Sequence, residues 1–259
     1  MGLLDRLFGG GAPRWDGTTG QPPSGNGASS LHLMWEVPAG RWTEVRVELT
    51  VVESPTVDRL HFWALQVGFG GESGGGGAHL GLQWYPRHPG STAANWGGYG
   101  PSGGELAGGP LAVPSATGNP NTGDYPWRPG DPYVLTVRRS PRPAPDGAAA
   151  WTGVITDVER GDELELRDLW AGGSHLTGPM VWSEVFADCD APTTAVRWRR
   201  PEVVGDDGTV VAVTRARVNY QRIDDGGCAT TDSSVEGDGF VQRTGTARRT
   251  RPGSILALG

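Results

Sequence analysis

From residue 42 to 52 the chain alternates without a break, with Val45, Val47, Leu49 and Val51 on one side and Glu44, Arg46, Glu48 and Thr50 on the other. A period of two sends successive side chains to opposite faces, so the pattern predicts a half-buried strand. Residues 60–69 are apolar on both sides, as in a strand covered on both faces and central in its sheet. Glycines 74–77 turn the chain, and residues 78–85 read as the returning strand of a long hairpin. Further strands are predicted over 133–139, 150–158, 163–169, 181–187, 195–200 and 210–222, divided by turn signals such as Asp-Gly and Pro-Gly. Residues 86–130, rich in Pro, Gly and Asn, show no period and read as a long loop, of a length at which loops are often functional.

No internal repeat is visible, and the economical way to bury so many alternating strands is a two-sheet antiparallel sandwich, jelly-roll or concanavalin-like. The all-β body is expected over 31–231. Ahead of it, Leu3, Leu4, Leu7 and Phe8 share one helical face opposite Asp5 and Arg6, so residues 1–8 read as a short amphipathic tag suited to a membrane surface or a protein partner. Residues 9–30 read as a flexible linker. Residues 232–259 read as a partly disordered basic tail carrying Arg243, Arg248, Arg249 and Arg251, in which Phe240-Val241 and Ile255-Leu256 can add short edge strands.

The 43 Gly and 21 Pro approach the composition of a disordered chain, but 11 Trp are far more than such a chain carries. The net charge of -7 offers no field for phosphate backbones, so no nucleic-acid partner is expected. The chain has no Lys, all 22 basic residues being Arg, and this excludes P-loop, pyridoxal-phosphate and standard kinase chemistry. The same Arg, Gly, Ala and Pro bias resembles the codon usage of a GC-rich bacterium such as an actinobacterium. No apolar run is long enough for a signal peptide or a membrane span, so the expected location is cytoplasmic, with peripheral membrane attachment through the tag as the alternative. Cys189 and Cys228 stand in separate polar loops and read as free thiols, their pairing being the alternative.

Gly71-Glu-Ser73-Gly-Gly75 and Gly100-Pro-Ser102-Gly-Gly104 spell the hydrolase nucleophile elbow, but neither has the helix that chemistry requires. Gly98-Tyr-Gly100-Pro-Ser-Gly103 spells a dinucleotide fingerprint with no βαβ unit around it. His32, His61, His79, His88 and His175 include no metal-ligand spacing, so no transition-metal site and no cofactor are expected. Asp188 and Asp190, Asp206 and Asp207, and Asp224 and Asp225 suit turns, and supply only part of a calcium site.

Glu163 and Glu165 share a strand face that Arg167 continues, the pattern of a solvated charge ladder. Glu184 shares its face with Trp182 and Phe186, a setting that raises a carboxyl pKa or frames a sugar. His79, Gln83 and Tyr85 line one strand face, Asn95 and Trp96 follow in the loop, and Trp63 precedes them. Flat rings beside directional amides and imidazoles are what carbohydrate platforms use.

Phe62-Trp-Ala-Leu-Gln-Val-Gly-Phe69, the glycine turn and Gly77-Ala-His-Leu-Gly-Leu-Gln83 resemble a bacterial domain family of unknown function whose motif reads roughly Gly-Gly-Tyr-Phe-Gly-Ile-Gln. Trp127-Arg-Pro-Gly-Asp-Pro-Tyr133, Trp151-Thr-Gly-Val-Ile-Thr-Asp157 and Trp182-Ser-Glu184 follow in matching order, over about residues 31–201. The resemblance implies a concanavalin-like or jelly-roll sandwich associated with carbohydrate-active proteins, and it transfers no catalytic residues. Ala78-His79 replace the motif's second Gly and Tyr.

The leading expectation is a non-catalytic interaction module that binds a glycan on the face carrying Trp63, His79 and Gln83, with Tyr85, Asn95, Trp96, Trp182 and Glu184 nearby. A glycoside hydrolase or lyase using Glu184 and a second carboxylate is the enzymatic alternative. The third is an assembly protein recruited by the tag.

Overall fold

A computed structural model describes residues 15–72 and 74–259. The tag over 1–8, residues 9–14 of the expected linker and Ser73 of the first elbow motif lie outside the described residues. The strands in chain order are β1 (Ser29–Trp35), β2 (Trp42–Glu53), β3 (His61–Gly70), β4 (Gly77–Trp84), β5 (Thr92–Tyr99), β6 (Thr122–Asp124), β7 (Pro132–Arg139) and β8 (Trp151–Asp157). There follow β9 (Asp162–Leu169), β10 (His175–Val185), β11 (Thr194–Gly205), β12 (Val210–Ala212), β13 (Arg215–Tyr220), β14 (Thr231–Glu236), β15 (Gly239–Thr244) and β16 (Ile255–Ala257). The only helical pieces among the described residues are the 3-10 turns Pro89–Ser91 and Ile223–Asp225, and no helix is long and apolar enough to cross a membrane.

All pairings are antiparallel, and the fold is the all-β sandwich expected from the alternation. The first sheet runs β16-β13-β1-β10-β3-β4-β5-β6. The second runs β14-β15-β11-β2-β7-β8-β9, with β12 on the far end of β11. They join at one corner, where Leu176 pairs with Trp42. Between them lies one apolar core, to which β1 gives Leu31 and Leu33, β3 gives Trp63, Leu65 and Val67, and the opposite sheet gives Val45, Val47, Leu49, Leu135 and Trp151. Strand β3 is central, as its apolar character predicts.

Three stretches differ from expectation. Within 86–130 the chain adds β5 and β6 to the sheet edge, and their Gly and Ala content, poor in β-formers, hid the strand signal. Residues 15–28 are tied down by hydrogen bonds, such as those from the Cys189 N–H to the Gly20 carbonyl (2.8 Å) and from the Ala229 N–H to the Gly17 carbonyl (2.7 Å). In the tail, β14 and β15 continue the second sheet and bury Phe240 and Val241, while Arg248 lies 4.0 Å over the Tyr220 ring. Cys189 and Cys228 form a disulfide with their Cα atoms 5.4 Å apart, so the free-thiol expectation is replaced by the pairing. Two loops distant in sequence are brought together by the fold, which spacing alone does not reveal.

Candidate functional site

A sandwich has two outer faces, and here they differ in chemistry. On the second sheet many charges are paired. Arg46 bridges Glu44 and Glu202, the buried Glu48 holds Arg199 and Arg200, and Arg138 reaches Glu163 and Glu165. Glu163 and Glu165 are therefore ladder residues, but Arg167 does not continue their row. A register shift between Gly153 and Val154 turns it inward, where it donates to the Pro120 carbonyl and to Asn121 Oδ1 (2.5 and 2.7 Å).

The outer face of the first sheet is aromatic and amide-rich. Its composition follows from register, because paired residues point the same way. Gln83 pairs with Phe62 and Phe62 with Glu184; Gly81 pairs with Ala64, Ala64 with Trp182, and Trp182 with His32; His79 pairs with Gln66 and Gln66 with Met180. Over Ala64 three rings close on one another. Phe62 and Trp182 are 4.9 Å apart, Phe62 and His79 5.5 Å, and His79 and Trp182 5.7 Å, all near edge-to-face. Small residues at Ala64 and Gly81 leave room for them, and a Cβ at Gly81 would collide with the Trp63 carbonyl oxygen. Trp182 Nε1 donates to Gln66 Oε1 at 2.9 Å. Phe62 and Trp182 form a nearly buried floor, while His32, Gln66, His79 and Glu184 are only partly covered.

Around the rings stand polar atoms without partners. Gln83 Oε1, Asn95 Oδ1 and His32 Nδ1 are buried and accept or donate nothing among the described residues. Asn95 directs its amide nitrogen to Thr122 Oγ1 (2.7 Å). Glu184 accepts one hydrogen bond, from Asn26 Nδ2 at 3.0 Å. Burial raises its pKa above the usual carboxylate range, and the Asn26 bond opposes that rise. Burial also lowers His79 to about 4 and depresses His32, so both imidazoles are neutral at neutral pH.

The same register corrects the expected platform. Trp63 pairs with Leu82 and Trp96 with Leu80, which places both indoles in the core. Trp63 stacks edge-on against Trp127 at 5.8 Å, and Trp96 packs on Gly153 and donates to the Trp151 carbonyl at 3.3 Å. Parity forbids either from sharing a face with His79 and Gln83, which do point outward together. Tyr85 stands beyond the end of β4, its ring 5.1 Å from His88. Asn95 lies on the outer face, and Trp182 and Glu184 sit together on β10. Sequence reading overlooked Phe62, Gln66, His32 and Asn26, and also Tyr99, which is 55% exposed on the same face of β5. The alternation in 60–69 held the signal for Phe62 and Gln66, while Asn26 lay in the presumed linker.

A two-carboxylate hydrolase needs its second acid about 5–10 Å from the first. Along the row through Glu184, Phe62, Gln83 and Ala93, the next acid is Asp124, four strands away or roughly 19 Å at strand spacing. Asp124 is itself engaged by His88 Nδ1 at 2.6 Å. Among the described residues no three His, Cys, Asp or Glu side chains gather as a metal site. Of the Asp pairs weighed for calcium, Asp190 accepts from the Gly20 N–H and Asp207 from the Thr209 N–H, as turn carboxylates do.

No family model and no curated protein matches the chain, so the resemblance to a bacterial domain family rests on its quoted motifs alone. Among solved structures the chain is similar to Scytalido-glutamic peptidase with a peptide-based transition state analog, at 14% identity and TM-score 0.43, covering 87% of this chain and 98% of that one. SCP-B, a member of the Eqolisin family of peptidases, matches at 13% identity and TM-score 0.41 over 88% and 99%. Alginate lyase Aly36B matches at 13% and 0.30 over 62% and 78%. Values this low transfer no active site to the chain.

Proposed function

We propose that the outer face of the first sheet binds a neutral carbohydrate without cleaving it. One observation carries this reading: the unpartnered acceptors Gln83 Oε1 and Asn95 Oδ1 and the unpartnered His32 Nδ1 surround a cluster of rings. A buried polar atom left without a partner costs about 1–3 kcal/mol, which a ligand rich in hydroxyls recovers. Sugars combine such hydroxyls with apolar ring faces that suit Phe62 and Trp182. Neutrality follows from the charges on this face. Glu184 is the acidic group beside the rings and has no ion-pair partner among the described residues, the imidazoles of His32 and His79 are neutral, and Arg217, at the β13 side, is held by Glu36 at 3.0 Å. A uronate would meet the Glu184 carboxyl group, while the described arginines of β13 on this face, Arg215 and Arg217, are both held by Glu36. The absence of a second acid within reach along the row of Glu184 favours binding over hydrolysis.

The test is a titration of the full chain with neutral and uronic oligosaccharides, following Trp emission and assaying for shortened products. Saturable binding of a neutral sugar without new chain ends is the expected result. Preference for uronates, new chain ends, or no response across the panel would each overturn the reading.

A further inference from the structure

We propose that residues 15–28 form a strap that completes this site by delivering Asn26 to Glu184, and that the Cys189–Cys228 disulfide holds the strap in place. The inference rests on the carbohydrate reading for its ligand, but the geometry of the strap stands apart from it.

Asn26 is oriented before any ligand arrives. Its Oδ1 accepts from the Ala28 N–H at 3.1 Å, and the Ser24 hydroxyl fixes the same turn by donating to the Ala28 carbonyl at 2.6 Å, which aims Nδ2 at Glu184 Oε1, 158 positions away and 3.0 Å distant. That bond uses one amide proton and one carboxylate oxygen, so Asn26 keeps its other amide proton and Glu184 its second oxygen for a ligand. A hydroxyl group both donates and accepts, and such a pair satisfies it at both ends. On the neighbouring strands Glu184 faces Ser30 of β1 and Phe62 of β3. The titratable group of those strands that shares this face is His32, whose charged form burial disfavours, while His61 beside Phe62 points to the opposite face.

The other anchors of the strap converge on two loops. Gly20 accepts from the Cys189 N–H at 2.8 Å and donates to Asp190 Oδ1 at 2.9 Å. Gly17 accepts from the Ala229 N–H at 2.7 Å, and Ser29 Oγ, where the strap enters β1, accepts from the Cys228 N–H at 2.8 Å. These are the loops that the disulfide joins across a separation of 39 residues. A cross-link removes the freedom of such loops to part, and its loss returns that freedom. A dithiol reductant would break the S–S bond by giving two electrons and two protons to the sulfurs while closing into its own cyclic disulfide.

The test uses the full chain and two readouts. In a carboxyl carbon NMR titration, with the Glu184 signal assigned by Glu184→Gln, Asn26→Leu should move the midpoint upward because a donor to the carboxylate is gone. Reduction with dithiothreitol should move it the same way, with faster hydrogen exchange at the Gly20 and Cys189 amides while β2 and β3 stay protected. Affinity for a neutral oligosaccharide that binds the wild type should fall about tenfold in both cases, the scale of one charge-assisted hydrogen bond. An unchanged midpoint and affinity in Asn26→Leu would overturn the role of Asn26. Retained protection at Gly20 after reduction, or loss of protection throughout the sheets, would overturn the clamp. If no sugar binds the wild type, the carbohydrate reading fails, and the NMR midpoints still decide the strap.

Discussion

Trp182→Ala separates the ring cluster from the core most sharply. The indole is 6% exposed, touches Phe62 and His79 edge-on at 4.9 and 5.7 Å, and donates to Gln66 at 2.9 Å. Truncating a buried Trp to Ala costs about 3–5 kcal/mol, which already contains about 0.5–1.5 kcal/mol for each ring pair and about 1 kcal/mol for the hydrogen bond. Domains hold about 5–15 kcal/mol in reserve, so the variant should remain folded and measurable by urea unfolding. On the ligand side, loss of a Trp anchor should weaken sugar binding by at least about 2 kcal/mol, or about thirtyfold. Trp96→Ala is the control. That indole is fully buried between the sheets, so its loss should cost similar stability and leave the affinity of the folded fraction unchanged. A folded Trp182→Ala chain with wild-type affinity would refute the placement of the site. A stability loss under about 1 kcal/mol would refute the packing argument itself.

Two further outcomes follow from burial and charge. Tyr99 is 55% exposed on the same face, so Tyr99→Ala should change stability by less than about 0.5 kcal/mol while weakening binding of long sugar chains more than short ones, as isothermal titration would show. Burial lowers both His61 and His79 from 6.5 to about 4. Between those values the unfolded chain binds more protons than the folded one, so stability should fall as pH drops from 6.5 to 4 and gain no further loss from these groups below that. The loss is up to about 3 kcal/mol per imidazole, less for the partly exposed His79, and His79→Gln should remove its share. Urea midpoints that stay flat across this window would refute the burial of the two rings. Glu184 acts in the opposite sense, because a raised carboxyl pKa destabilises the fold above it and the penalty is relieved on acidification.

Most of the fold was legible because its strands carry period-two signals. Residues 42–52 gave β2 to within one residue, and the apolar run at 60–69 placed β3 in the middle of its sheet. What escaped had a common cause. After Thr92 the β5 sequence Ala-Ala-Asn-Trp-Gly-Gly-Tyr has no β-branched residue, and at its two glycines close neighbours leave no room for a side chain. A Cβ at Gly98 would strike the Gly77 carbonyl and Ala78, and one at Gly97 would press on Asn121. Packing thus selected the very residues that local propensity reads as loop. The linker misled in the same way, since residues 15–28 have no period of their own and are ordered by partners near residues 184–190 and 228–229.

The candidate site was legible in its residue types and illegible in its assembly. Alternation within one strand puts His79 and Gln83 on a common face, and likewise Trp182 and Glu184, and that inference needs no partner. Joining them to Trp63 and Trp96 required knowing which positions of different strands face each other. Within β3, Trp63 and Phe62 are one residue apart and point to opposite sides, so the aromatic that meets His79 is decided by the pairing of Phe62 with Gln83 and of Gln66 with His79. A slip of one residue would exchange the rings on the two faces. The apolar demand of the core resolves the choice. The larger indole of Trp63 meets Trp127 between the sheets, and the face left outside inherits the smaller Phe62, the amide of Gln66 and the neutral His79. The outer face of the first sheet is therefore what remains after the core has taken its share, and its chemistry follows from register as much as from composition.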